Sequence, residues 1–286
     1  MKNILFLIQT AVLMIPLVLF GQETKPDFGI KFSGFVKNDF FYDTRQTASA
    51  REGHVLLYPL NIQLDNDGKD INAQPNYNFL SIQTRLTGNI KGPDAFGGKT
   101  SGVVEADVFG NENAAFVDAN GFRLRHAFVK VNWTSTELMT GQYWHPYFQA
   151  ECFPGVISFN TGLPIQPFSR NPQIKLSQKF GSFKIAGTLI AQRDFTSPSN
   201  SLPLRNSSIP AAFISFTFQN KNEEAKKEFL AGLVGGYQAI KPLLFTTNGT
   251  TNYVTTELVE GFSSEFFIKI QRSEEHTSEL QSRQVI

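Results

Sequence analysis

The chain has 286 residues, of which 41% are hydrophobic, 13% aromatic and 18% charged, and its formal net charge is +1. So even a balance speaks against nucleic acid as a partner. The single cysteine, Cys152, excludes an intrachain disulfide, and the length allows one large β domain or two ordinary ones.

Lys2 precedes an apolar run from Ile4 to Phe20, interrupted by Gln9, Thr10 and Pro16 and followed by Gly21, Gln22 and the polar Glu23–Asp27. This is the pattern of a secretory signal peptide over residues 1–21, with cleavage after Gly21. An uncleaved anchor is the alternative, but the run is short for a spanning helix and carries a proline. With no cysteine at the cleavage point, a lipid anchor is not expected.

Gly29–Thr44 is predicted to form a first strand, with Lys31, Ser33, Lys37 and Asp39 on one face and Ile30, Phe32, Val36 and Phe40 on the other. The connection Arg45–Tyr77 is rich in Asn, Asp and Gly and holds an apolar island at Val55–Leu60. Within it, Gln63–Asp70 resembles part of a calcium loop, with Asp65, Asp67 and Asp70 as the carboxylates and Gly68 for the turn. Gln63 and Gln74 stand where that pattern needs its end ligands, and an Asp-Gly turn explains the same letters, so no metal is expected. Asn78–Lys91 gives the cleanest alternation: Leu80, Ile82, Leu86 and Ile90 against Ser81, Gln83, Arg85, Thr87 and Asn89.

In Gly102–Gly110, Val104, Ala106 and Val108 oppose Glu105 and Asp107. Gly121–Trp133 and Glu137–Trp144 read as a strand pair in which Arg123 and Arg125, two apart, share a face. Glu151–Pro172 is a Pro- and Gly-punctuated excursion without a strand period, long for a hairpin connection. Gln173–Gln192 reads as a hairpin turning at Phe180–Ser182, and Ser197–Pro210 as a loop. Ala211–Gln219 and Glu228–Gln238 pair across a charged turn, and a last strand lies around Leu258–Ile270. About ten strands result, with no amphipathic helix and no domain linker. Short and long connections alternate roughly, as periplasmic turns and extracellular loops do in membrane barrels.

The composition then breaks. Arg272–Ser282 matches a translated sequencing-adapter oligonucleotide over eleven consecutive residues. Residues 272–286 are therefore expected to be non-native, with His276 and its neighbouring glutamates carrying no function.

Two arginines on one face of an apolar strand suit a wall that is wet inside and greasy outside. The Gly121–Phe148 segment resembles a strand pair of bacterial outer-membrane diffusion porins of the anion- or dicarboxylate-porin type, and the likeness extends over most of Gly29–Gln271. It implies an all-β fold, an antiparallel transmembrane β-barrel. This chain would hold about ten of the parent's strands over 22–271, cut short before closure. It further implies residence in the outer membrane, contact with its lipid, passive diffusion of small hydrophilic solutes and a trimeric homo-oligomer, with no cofactor and no enzymatic activity. Arg85, Arg123 and Arg125, with Glu105 and Asp107, would line the pore and select anions. Alternatively, those charges only pair with one another to satisfy the lumen wall. An inward-folded loop would narrow the pore, and Glu151–Pro172 is the candidate, with Glu151 and Arg170 setting a transverse field. Tyr143, Trp144, Tyr147 and Phe148 would form an interfacial girdle, with a sugar-stacking platform as the alternative.

His54, His126 and His145 show no metal-ligand spacing, and no nucleophile elbow, phosphate-cradling loop or HExxH helix is present. Two rival classes stay open. One is a secreted soluble β-sandwich or solenoid that binds carbohydrate, which predicts a second sheet against the apolar face. The other is a barrel enzyme with its catalytic set elsewhere.

Overall fold

The computed structural model describes residues 28–50, 53, 55–109, 121–153, 168–194, 200–224, 226–272 and 280–285. The expected signal peptide, His54 and most of the Glu151–Pro172 excursion lie outside them. In chain order the strands are β1 (Gly29–Phe35), β2 (Asp39–Asp43), β3 (Thr47–Ala50), β4 (Val55–Pro59), β5 (Asn76–Leu80), β6 (Thr84–Lys91), β7 (Lys99–Val108), β8 (Phe122–Asn132) and β9 (Thr136–Trp144). There follow β10 (Arg170–Phe180), β11 (Phe183–Ile190), a short helix α1 (Leu202–Ser207), β12 (Ala211–Asn222) and β13 (Lys227–Ile240). The series ends with β14 (Phe245–Asn248), β15 (Thr251–Val254), β16 (Val259–Gln271) and β17 (Leu280–Val285).

The fold is all-β and antiparallel. Eleven strands form one sheet in the order β1-β6-β7-β8-β9-β10-β11-β12-β13-β16-β17, so each strand lies beside its sequence neighbour apart from two excursions. Four tight connections, Gly92–Gly98, Trp133–Ser135, Gly181–Ser182 and Glu223–Lys226, lie at one end. The strand ends that open into the longer ones, 36–83, 109–121, 145–169, 191–210 and 241–258, lie at the other. This is the alternation of an up-and-down barrel wall. By backbone position, Leu280–Val285 of the expected non-native tail runs beside Glu265–Ile270 of β16.

Two strands expected to be continuous are broken. Gly29–Thr44 divides into β1 and β2, and Asn78–Lys91 into β5 and β6, with Gln83 at a positive φ of 64°. β1 pairs with β6 in the main sheet, while β2 pairs with β5 in a separate ribbon. The break redirects the apolar residues of one dyad. Leu80 and Ile82 pack with Phe109 and Phe41 in a small core, whereas Leu86 stands 54% exposed. The Val55–Leu60 island becomes β4, paired with β3. The Ser197–Pro210 loop holds α1, which a Pro in its first turn allows and whose Leu204 is buried. The β14–β15 hairpin was not visible as alternation. The Arg170–Pro172 end of the expected excursion belongs to β10.

Pairing parity assigns every side chain of the main sheet to one of two faces. Phe32, Leu86, Val104, Leu124, Ile174, Ile185, Ile214, Leu233 and Phe266 share one face and are all exposed. Burying such a side chain stabilises by about 1.5–3 kcal/mol. Yet among the described residues the principal contacts beyond neighbouring strands are α1 on β13 and the Ala150–Cys152 turn on β16. No second sheet covers the apolar face among the described residues, which counts against the sandwich. The opposite face, called inner below, carries the charged and buried polar residues.

Candidate functional site

Asp107 and Glu105 of β7 lie between Arg85 of β6 and the arginines of β8. Register alone brings Arg85, Asp107 and Arg123 into one row, and Thr87, Glu105 and His126 into the next. Arg123 donates to Asp107 in a fork, Nε at 3.0 Å and Nη2 at 2.9 Å. Arg125 bridges both carboxylates, with Nε 2.7 Å from Glu105 and Nη1 2.9 Å from Asp107. Arg85 lies 3.8 Å from each. The Thr87 hydroxyl donates to the second Glu105 oxygen at 2.9 Å. The Asp107 side chain is fully withdrawn from solvent and Arg125 nearly so. Charge-assisted bonds of this geometry offset the large cost of removing such groups from water.

A β-bulge makes this cluster possible. Glu105 faces His126 while Ala106 faces Leu124, so Arg125 is the extra residue on β8. The alternation slips by one, and Arg123, Arg125 and His126 all reach the inner face. The two carbonyls loosened by the bulge accept from Gln142 Nε2, at 3.0 Å from Leu124 O and 3.1 Å from Arg125 O. Beside the bulge β9 comes close, because Gly141, at φ 131°, has no Cβ to meet Ala127 O.

Around the ions sits an aromatic layer. Phe35 underlies Arg85, Phe109 underlies Arg123, and the Trp144 ring lies 5.4 Å from the Arg125 guanidinium carbon and 4.9 Å from that of Arg170. Arg170 is buried and, among the described residues, has no carboxylate within ion-pair distance. Among the described residues four guanidiniums thus face two carboxylates, a positive surplus.

The aromatics expected at a membrane interface are placed differently. Tyr143 packs on His126 and Phe128 on the inner face, and Trp144 stacks on the buried Phe148 at 4.0 Å. Inner-face parity carries Tyr143, and the turn after β9 carries Tyr147 and Phe148, away from the apolar side. Tyr147 goes furthest. Its ring meets Phe213 at 5.4 Å and its hydroxyl bonds Ser263 of β16, so the segment after β9 crosses the inner face of β10 to β13. Cys152, at the end of this segment, packs with Tyr147 against Leu230, Val234 and Phe267. Burial pushes its thiol up to about 11, so it is protonated and unreactive at neutral pH.

The segment folds inward where Glu151–Pro172 was expected to, but it begins at His145. Glu151 is exposed, and Arg170 is held in β10 against Trp144. An outer aromatic row was missed at the short-turn end: Phe183 and Phe218 at 5.0 Å, then Phe218 and Phe229 at 6.0 Å. The signal was available, since each occupies an outward position next to a tight turn.

The acidic loop is spent on its own backbone. Asp65 accepts from the N–H groups of Asp67 and Lys69, and Asp70 from those of Gln63 and Asn72 and from Arg45. Among the described residues no group of three or more His, Cys, Asp or Glu could hold a metal ion.

No protein-family model matches the sequence, nor does any curated protein. Among solved structures the chain is similar to OmpTdeltaL8, a loop L8 deletion mutant of OmpT, an outer membrane protein of Vibrio cholerae. Identity is 11% and the TM-score 0.46, over 91% of this chain and 71% of that one.

Proposed function

We propose that this protein is a diffusion channel of the bacterial outer membrane that passes small hydrophilic solutes with a bias for anions. The carrying observation is the opposition of the two faces of the main sheet: strand after strand presents bare aliphatic and aromatic side chains on one side, while charged and buried polar groups lie on the other. In lipid the exposed row is at no cost, and antiparallel strands satisfy their own backbone. Both sheet edges must then be paired, so in a closed wall β1 and β16 need partners other than the native strands described. Residues 1–21 serve export as a signal peptide, residues 272–286 are a non-native tail, and the protein assembles as a homo-oligomer, trimeric by its resemblance to porins.

The anion bias rests on the surplus of guanidinium over carboxylate in the cluster of Arg85, Arg123, Arg125 and Arg170 with Glu105 and Asp107. The His145–Phe153 segment narrows the path by lying on the inner face. No catalytic step is assigned to the site. The test is reconstitution into planar bilayers under a salt gradient. Stepwise conductance with a reversal potential of anion sign is expected. A cation-signed potential removes the bias. A water-soluble product without conductance removes the channel and favours the secreted carbohydrate-binding alternative.

A further inference from the structure

Away from the inner cluster, a cavity of about 140 Å³ opens between the end of β11 and α1. Its floor is apolar, formed by Ile190, Leu204 and Pro210, and its other walls include Arg193, Arg205, Ser201 and Ser208. Both arginines are exposed, and among the described residues neither is within ion-pair distance of a carboxylate. Asp194, next in sequence, is already engaged: its side chain accepts from the Arg170 N–H at 3.1 Å and its carbonyl from the Ser169 hydroxyl at 2.9 Å.

The backbone under each arginine is fixed. The N–H groups of Arg193 and Asp194 both donate to Oδ1 of the fully buried Asn171, at 2.6 and 3.0 Å. Arg205 sits on α1, which is tied to the sheet by the Lys241 N–H on Pro203 O at 2.8 Å. Two guanidiniums on fixed backbone line one cavity with two serines and form no ion pair among the described residues, and forked donors of this kind suit a tetrahedral oxyanion.

We propose that this cavity binds a phosphate monoester group between Arg193 and Arg205, with the apolar floor taking the carbon next to it. The same chemistry is offered by a lipid headgroup and by free phosphate. The site is independent of channel activity.

The test uses the full chain in neutral detergent and isothermal titration with two probes: inorganic phosphate, and phosphatidic acid carried in the micelles with phosphatidylcholine as control. The variants are R193Q and R205Q, with the R193K/R205K double variant and circular dichroism reporting on folding. Binding of either probe that weakens at least about tenfold in each glutamine variant, and falls with added salt, supports the site. Binding of phosphatidic acid alone assigns it to lipid, and binding of both assigns it to free phosphate as well. Binding that survives both glutamine variants belongs to the inner cluster and overturns the proposal, as does no binding at all. If a glutamine variant misfolds, the lysine variant decides: the charges remain but the fork is lost, and undiminished affinity there overturns the forked geometry.

Discussion

Arg123 grips Asp107 through two parallel bonds of 3.0 and 2.9 Å, from adjacent strands, around a carboxylate with no solvent contact. Asp107 also accepts from Arg125, so its single negative charge is shared between two cations. Asp107→Asn removes that charge and strands the guanidiniums beside one another. Breaking a buried pair from one side costs about 3–5 kcal/mol. The folded protein in detergent is expected to lose heat resistance accordingly, while Arg123→Lys, which keeps the charge but not the fork, loses less. Equal melting of D107N and the parent would show that the cluster is solvated and loosely held.

Gln142 tests the bulge separately from the ions. Its side-chain amide is the donor for both loosened carbonyls at Leu124 and Arg125. Gln142→Leu keeps the volume and suits the apolar face, yet leaves two carbonyls without that donor, so a loss of about 1–3 kcal/mol is expected. Amide exchange should rise first at residues 124–127. Unchanged exchange there would mean that the bulge is held by the ion cluster alone.

Much of this arrangement was legible because a period of two is a local property. The pairing of Glu105 and Asp107 with Arg85, Arg123 and Arg125 follows once β6, β7 and β8 are neighbours. His126 was not legible as an inner residue, because strict alternation from Arg125 turns it outward and only the bulge turns it back. The slip from Arg123 and Arg125 to Phe128 and Lys130 on the same face was its one trace. Leu80 and Ile82 misled for a similar reason: a continuous dyad does not reveal the reversed backbone at Gln83. Tyr143, Trp144 and Tyr147 were recognised as a cluster but not placed, since a run of aromatics looks the same on either face. The crossing to Ser263 spans 116 residues and has no local signature.

That crossing depends on a missing side chain. A Cβ on Gly236 would stand 2.5 Å from the Phe213 ring and 2.6 Å from the Tyr147 hydroxyl. Gly236→Val is therefore expected to expel Tyr147 from the wall and release the His145–Phe153 segment. Tyr147→Phe removes only the bond to Ser263, and about 1 kcal/mol of anchoring. On the channel reading, single-channel conductance should rise in G236V and change little in Y147F. A cysteine probe gives a second readout: Cys152, now protonated and packed, should react faster with a hydrophilic maleimide in G236V. If neither moves, the segment is held by Trp144 and Phe148 rather than by its far end.

The acidic loop supplies the pH test, since it lies outside the main sheet. The N–H of Gln63, with that of Asn72 and the Arg45 charge, holds the Asp70 carboxyl below its usual range. A group whose folded value is depressed contributes stability above its unfolded value and loses it as pH falls through the folded one. Protease protection of the Arg45–Tyr77 connection is thus expected to stay flat from about pH 8 to about pH 5 and to fall below about pH 4. Asp70→Asn keeps an acceptor oxygen but not the charge facing Arg45, so its protection should be lower at neutral pH and lack that acid step. A wild-type profile without a step would place the loop's stability in the turn around Gly68 and Asp65, and a calcium-dependent rise in protection would show that Asp65, Asp67 and Asp70 can be drawn away from the backbone to a cation.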